Sequence, residues 1–307
     1  MTLDAGYLDY SNRKHGMDHD HYDWSNIFDR EPVKWLNDKR VAIWPVVSLE
    51  WFPMVPSDKP FRAPGHMQTT YPDYRHYTAR DYGTRIGLYR LLDAFAHIGA
   101  QVSVAMNAAI AERYPALVDH VLEGGHEIIA HSTDMNGTID SSLEVDLERA
   151  LIDQTLTKIK SVSGIKPRGW LSIARSQSFS TPSLLAEAGV EYMCDWANDE
   201  LPYQFKTRSG NLTNLPLNHE LSDRQILNVQ QQSIDSYVEQ MTDAFDWLDA
   251  EAKTSGGRML PMHLTPYIMG LPYRIDGFEA LIENLALKQG AWFARGDQLL
   301  DQWLAQA

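Results

Sequence analysis

Cysteine is nearly missing from this chain of 307 residues: Cys194 stands alone, so no internal disulfide can form and a reducing, cytoplasmic setting is expected. Long apolar runs are missing too. No stretch approaches the roughly 18 apolar residues needed to span a bilayer, and the opening Met1-Thr2-Leu3-Asp4-Ala5-Gly6-Tyr7 lacks the basic and apolar regions of a secretion signal. Positive charge is scarce, with 27 Lys and Arg against 41 Asp and Glu for a net charge of −14 and no basic stripe. That balance argues against nucleic acid or a membrane surface as partner and for a small neutral substrate. No Gly-x-Gly-x-x-Gly turn, low-complexity linker or fixed-period repeat occurs, which removes the dinucleotide-binding fold and a division into separate domains.

What the chain does have is an alternation of short apolar segments with amphipathic ones. After an irregular N-terminal arm (1–39), strands are predicted at 41–49, 101–106, 126–131, 167–173, 192–195, 212–217, 259–265 and 291–294. Helices are predicted at 84–98, 110–122, 142–162, 181–188, 234–253 and 277–288, the third with Leu143, Leu147, Leu151, Leu156 and Ile159 at helical spacing. Strand and helix alternating in this way indicate an α/β protein, a (β/α) barrel of 7–8 strands in one domain (40–307), with active-site groups just past the strand C-termini. The chain is expected to form a homo-oligomer.

Several residues pass that positional filter. Glu50 ends the most apolar segment of the chain, 41–52; His131 ends another, Asp195 and Asp199 follow a third, and His263 lies in Met262-His263-Leu264-Thr265. A carboxylate with imidazoles around a pocket can hold a metal or perform general acid/base work near neutral pH. Four residues beyond His131 stands Met135, whose thioether is a poor zinc ligand, so the spacing yields only His131 and Glu50 as a ligand pair. Trp51, Phe52, Trp170, Trp196 and Tyr267 at strand ends read as pocket lining, and Arg168 or Arg274 as partners for a pocket carboxylate or as surface ion pairs. For Glu50 the structural alternative is a pairing with Arg62 or Arg85. His126 reads as a structural hydrogen-bonding group, Asp18-His19-Asp20-His21-Tyr22-Asp23 as solvated arm in place of a metal cluster, and Cys194 as a buried filler.

Five motifs in order, Ser48-Leu49-Glu50, 125–132 (Gly-His-Glu-Ile-Ile-Ala-His-Ser), Pro167-Arg168-Gly169-Trp170, 195–203 and 264–272, resemble the polysaccharide deacetylase (NodB-homology) superfamily, and within it the intracellular allantoinase-like branch. The resemblance spans roughly 35–300. It implies a distorted (β/α) barrel of the NodB-homology type that hydrolyses a non-peptide C–N bond, in a small cyclic amide, imide or ureide. Metal-dependent members carry Asp-Asp after the first strand and His-x-x-x-His after the third; here these are Leu49-Glu50 and His131 with Met135. The allantoinase-like members share an altered triad, so no metal cofactor is expected, with zinc on Glu50 and His131 as the alternative. Their late histidine falls at Thr265, whereas here it stands two residues earlier at His263, on the same face of a strand and one layer deeper. Glu50, His131, His263 and Asp199 are thus the expected catalytic set, with Trp170, Trp196, Tyr267 and Arg274 around the substrate. A metal-dependent N-deacetylase of acetylated amino sugars and a non-catalytic ligand-binding barrel are the competing readings.

Overall fold

The computed structural model describes residues 16–58, 61 and 69–306. Its centre is β1 (Val41–Leu49), nine residues all buried, flanked in parallel by β2 (Ser103–Met106) on one side and β8 (Arg258–Leu264) on the other. From β2 the sheet continues through β3 (Glu127–Ala130), β4 (Gly169–Trp170) and β5 (Tyr192–Met193) to β7 (Gly210–Asn214), all parallel. The last strand on that side, β6 (Tyr203–Thr207), runs antiparallel to β7, and β9 (Ala291–Phe293) pairs with the start of β1. This is the distorted (β/α) barrel, with nine strands where the sequence predicts up to eight. The extra one is β6. It forms a hairpin with β7 around Arg208-Ser209, a pairing too polar for the apolar-run criterion to find.

Side chains two apart on the strands sort into two layers. Ala42, Trp44 and Val46 of β1 join Ala105, Ile129, Leu171, Tyr192, Cys194, Leu215, Leu217 and Met259 in the barrel interior, and Val41, Ile43, Val47 and Leu49 pack outward under the helices. A strand flanked on both faces in this way must be apolar throughout, which explains the 41–49 run. The outer layer comprises α1 (Tyr74–Tyr82), α2 (Leu88–His97), α3 (Ala108–Arg113), α4 (Pro115–Glu123), α5 (Val145–Ser163), α6 (Thr181–Glu187), α7 (Ile234–Ser255), α8 (Pro266–Met269), α9 (Ile275–Leu287) and α10 (Gly296–Leu304). In α5 the buried face is Glu148, Ile152, Thr155, Leu156 and Ile159, and Leu147 is exposed, so the leucine spacing named the helix but misplaced its core stripe. Pro115 opens α4 and splits the predicted helix 110–122 in two.

The two free ends of the sheet curl toward each other and meet at one backbone hydrogen bond, Met259 N–H to Glu200 O at 3.0 Å. The N-terminal arm lies alongside: Lys206 N–H of β6 donates to His21 O, Gly257 N–H to Val33 O, and the Trp35 indole N–H to Arg258 O. Asp199, expected in the active site, pairs with Arg30 of the arm through both oxygens, each at 2.7 Å. Among the described residues no helix is long and apolar enough to cross a membrane.

At the N-terminal end of the strands, α10 closes the barrel. Its first N–H groups need acceptors, and they find Ser103 Oγ (from Gly296, 2.8 Å) and Glu127 Oε2 (from Asp297, 3.2 Å). Glu127 also accepts from Ser103 (2.6 Å) and from the Tyr192 hydroxyl (2.7 Å). Burial raises its pKa, helped by the charge of Asp297. Glu127→Ala strands three donors and should cost about 2–4 kcal/mol in urea unfolding. Because the folded-state pKa is raised above the ordinary 4.5, the Glu127 contribution is present at low pH and fades as pH rises; the wild type should therefore lose stability relative to Glu127→Gln on going upward from pH 4.5. A pH-independent difference between the two would contradict this.

Candidate active site

Four strand C-termini deliver the site. Glu50 follows β1, Asn107 follows β2, His131 follows β3, and Thr265 with Tyr267 follows β8, the arrangement a (β/α) barrel imposes. Asn107 locks the geometry: its side-chain oxygen accepts from Trp51 N–H at 2.7 Å and its amide donates to His131 O, so the turns after β1 and β3 move as one.

Glu50 is held from two sides. Arg224 Nη2 donates to Oε1 at 2.8 Å and the Tyr267 hydroxyl donates to Oε2 at 2.7 Å, while Arg224 Nη2 also lies 3.1 Å from the Tyr267 oxygen and 3.4 Å from Thr265 Oγ1. Arg224 is buried, as is Glu50; Arg85 pairs with Asp81 instead, and Arg62 lies outside the described residues. Arg224 enters from a π-helical turn, Arg224–Val229, whose preceding residue Asp223 accepts from Thr265 N–H at 2.6 Å. Burial pushes Asp223 up to about 7. Tyr267 sits on α8, which packs against a second π-helical turn, Gly83–Gly87; a Cβ on Gly87 would lie 2.1 Å from Pro266 O, so only glycine lets α8 come this close.

His131 faces the pair. Its Nδ1 lies 2.7 Å from Leu171 O, which can only accept, so Nδ1 carries the proton and Nε2 presents its lone pair. That Nε2 is buried with no hydrogen-bond partner and lies 4.0 Å from Glu50 Oε1. Burial lowers the His131 pKa, against the opposing pull of Glu50, so the ring is a neutral base at pH 7. His263 lies one layer deeper, its Nε2 2.6 Å from Ser48 Oγ and its Nδ1 3.4 Å from Arg175 Nη2. Since Arg175 only donates, Nδ1 accepts and Nε2–H donates to Ser48. Burial and the Arg175 charge hold its pKa well below the ordinary 6.5.

Other residues expected at this site stand elsewhere. Trp170 is fully buried among the outer-layer core, its indole N–H on Ser172 Oγ, because its strand position faces the helices. Trp196 packs edge-on against His19, His21, Tyr22 and Phe205, under the arm. Arg274 binds Ile268 O and stacks on Tyr273, and Arg168 forms surface ion pairs with Glu191 and Asp301. Asp195 accepts from Ser172 N–H and Gln177, and His126 Nδ1 accepts from Val102 N–H. A cavity of about 80 Å³ is lined by Phe52, Phe61, His76, Tyr77 and Met135 among others, and Glu50 itself lines a much smaller one with Phe52, Tyr77 and Arg80. Arg224, the partner of Glu50, is not signalled by the sequence, and neither is Asn107. Arg224 lies 174 positions from Glu50 in a segment without helical or strand period.

A metal on Glu50 and His131, the alternative left by the sequence resemblance, does not fit these residues. Both oxygens of Glu50 are engaged, and the position facing Oε1 already holds a guanidinium; Met135 packs on Phe52 and Ile173, and Asp134 Oδ1 caps Asn136 N–H. Among the described residues no group of three or more His, Cys, Asp or Glu side chains is placed to hold an ion, the arm segment included. His131 should titrate below 6.5 when followed by NMR. Glu50→Gln removes an attractive charge and should lower that value further; Arg224→Met removes a repulsive one and should raise it, with a stability loss of about 3–5 kcal/mol from the orphaned carboxylate. Equal values in all three proteins would separate His131 from the ion pair.

No family model matches the chain. A curated relative, a Schizosaccharomyces pombe protein named "Putative polysaccharide deacetylase", is 24% identical over 242 residues, which are 74% of this chain and 75% of that one. Among solved structures, Puue allantoinase superposes with a TM-score of 0.81 at 24% identity, covering 90% of this chain and 94% of that one. A structure named "probable Polysaccharide deacetylase" from Pseudomonas aeruginosa PAO1 gives 0.80 at 24% identity, covering 89% and 93%. The resemblance carried by the five motifs thus extends over the whole barrel: this chain has the polysaccharide deacetylase fold, in the form it shares with Puue allantoinase.

Proposed function

We propose that the protein is a metal-independent hydrolase of a non-peptide C–N bond in a small cyclic amide, imide or ureide, with His131 as the proton-transfer group. The observation that carries this is the bare Nε2 of His131, buried, fixed in tautomer by Leu171 O, and 4.0 Å from a carboxylate. The names of the similar proteins, deacetylases and an allantoinase, support a hydrolytic reading.

In this mechanism a water beside Nε2 attacks the substrate carbonyl carbon and gives its proton to Nε2. The resulting imidazolium is stabilised by the charge of Glu50, whose two oxygens each already accept a hydrogen bond, from Arg224 and from Tyr267, which makes the carboxylate a weaker base than the bare Nε2 of His131. When the tetrahedral intermediate collapses, the C–N bond breaks and the Nε2 proton passes to the leaving nitrogen. His263 is unsuited to that step, because both ring nitrogens are engaged with Ser48 and Arg175. The N–H groups of Met135, Asn136 and Gly137, in the loop after His131, are likewise spent on Trp51 O and Asp134, which removes them as oxyanion donors.

A panel of hydantoins, succinimides, ureides and N-acetyl amino sugars tests the reading. Turnover of ring amides is expected. Turnover of acetylated sugars alone supports N-deacetylation, and binding without turnover of any supports a non-catalytic barrel. On the active substrate, His131→Ala and Glu50→Gln should each lower kcat/KM by about 10² or more, with the double variant little worse than the worse single one. The acidic limb of the pH profile should have its midpoint below 6.5, since the base must be unprotonated and its pKa is lowered. Chelator should leave the rate unchanged; loss of activity restored by added zinc would favour the deacetylase reading.

A further inference from the structure

Glu50 has its guanidinium, but a second guanidinium in the same barrel mouth has no carboxylate. Arg175 donates to Leu217 O from Nε (3.2 Å) and Nη2 (2.9 Å), and its remaining contacts are two imidazole nitrogens, His219 Nδ1 (3.4 Å from Nη1) and His263 Nδ1 (3.4 Å from Nη2). Among the described residues it makes no ion pair. Asp195, an acid within electrostatic reach, has its oxygens on Ser172 N–H and Gln177. Burial and the arginine charge lower the pKa of both histidines, so both rings are neutral and Arg175 carries the positive charge of this cluster.

The backbone singles out the same residue. Arg175 ends a short 3-10 turn just past β4, and it and Ala174 both hold positive φ, 55° and 54°. Non-glycine residues in that region cost on the order of 1 kcal/mol each, and two in succession are kept where the surrounding structure requires a particular side-chain direction. Here the direction is inward, toward His263, beneath the Glu50 and His131 layer. Arg175, His219 and His263 are each partly buried and keep some solvent exposure.

Asp195 and Glu220 act on Arg175 only at a distance, and a cation that makes no ion pair among the described residues leaves a direct counter-ion for the bound molecule to supply. We propose that the substrate is anionic: a ring amide or ureide bearing a carboxylate, which Arg175 receives, flanked by His219 and His263, while the ring carbonyl lies at His131. This rests on the hydrolase reading above and replaces the neutral substrate suggested by the net charge of −14 with one of opposite sign to the pocket. The carboxylate becomes the group that orients the ring, and a neutral ring of the same size lacks that anchor.

The test compares hydantoin with hydantoin-5-acetate, binding and turnover being measured separately. By calorimetry the wild type should bind the acid about 10- to 100-fold more tightly than the neutral ring, the range of a charge-assisted hydrogen-bonded contact. Arg175→Met and Arg175→Gln should abolish that preference, bringing the acid to the level of hydantoin. If neither variant folds, the wild-type pair decides, together with weakening of acid binding but not hydantoin binding as salt is raised. Equal binding of the two rings by the wild type, or no binding of the acid, overturns the proposal. Tight binding of the acid without hydrolysis keeps the anion subsite and overturns the hydrolase reading. Hydrolysis of both rings with equal kcat/KM does the reverse.

Discussion

Everything at the strand ends depends on the buried ion pair between Glu50 and Arg224. A carboxylate taken out of water is costly unless its lone pairs are matched, and Arg224 with Tyr267 matches both oxygens. The pair fixes where β8, α8 and the 224–229 turn meet, since Thr265 and Asp223 are tied into it. It places fixed negative charge 4.0 Å from the one unbonded imidazole nitrogen of the site. Together with Tyr267 it also engages both oxygens of Glu50 at once, one with a guanidinium and one with a hydroxyl.

The pair also explains how much of the molecule was legible in the sequence. Strand β1 and the positions of Glu50 and His131 could be read because burial on both faces demands an apolar run, and strand ends are marked where that run stops. His263 could be placed one layer down by applying the two-residue period to the family's late histidine, which the resemblance puts at Thr265, and its Nε2 lies on Ser48. Arg224, Arg175 and Asn107 could not. They come from turns between regular elements, and their partners lie far away in the chain, so no local period announces them.

The misplaced residues fail for the same reason. Trp170 and Trp196 lie at strand ends, as expected, but side chains alternate across a strand and aromatics suit either face. Asp199 occupies a turn that faces the arm, and the arm has no periodicity from which its path could be drawn. Position along a strand was readable; which of the two faces a side chain takes near a frayed end was not.

The N-terminal arm has a consequence of its own. An open sheet has two rows of unpaired backbone groups, and in this barrel those rows belong to β6 and β8, which approach where Glu200 meets Met259 and Arg258. The arm reaches both: His21 takes the N–H of Lys206 on one border, and Val33 and Trp35 bind Gly257 and Arg258 on the other. It therefore serves as a guard against strand addition by another chain, the hazard that exposed borders carry toward aggregation. The described part of the arm thus covers backbone groups on both borders that another strand would otherwise find free.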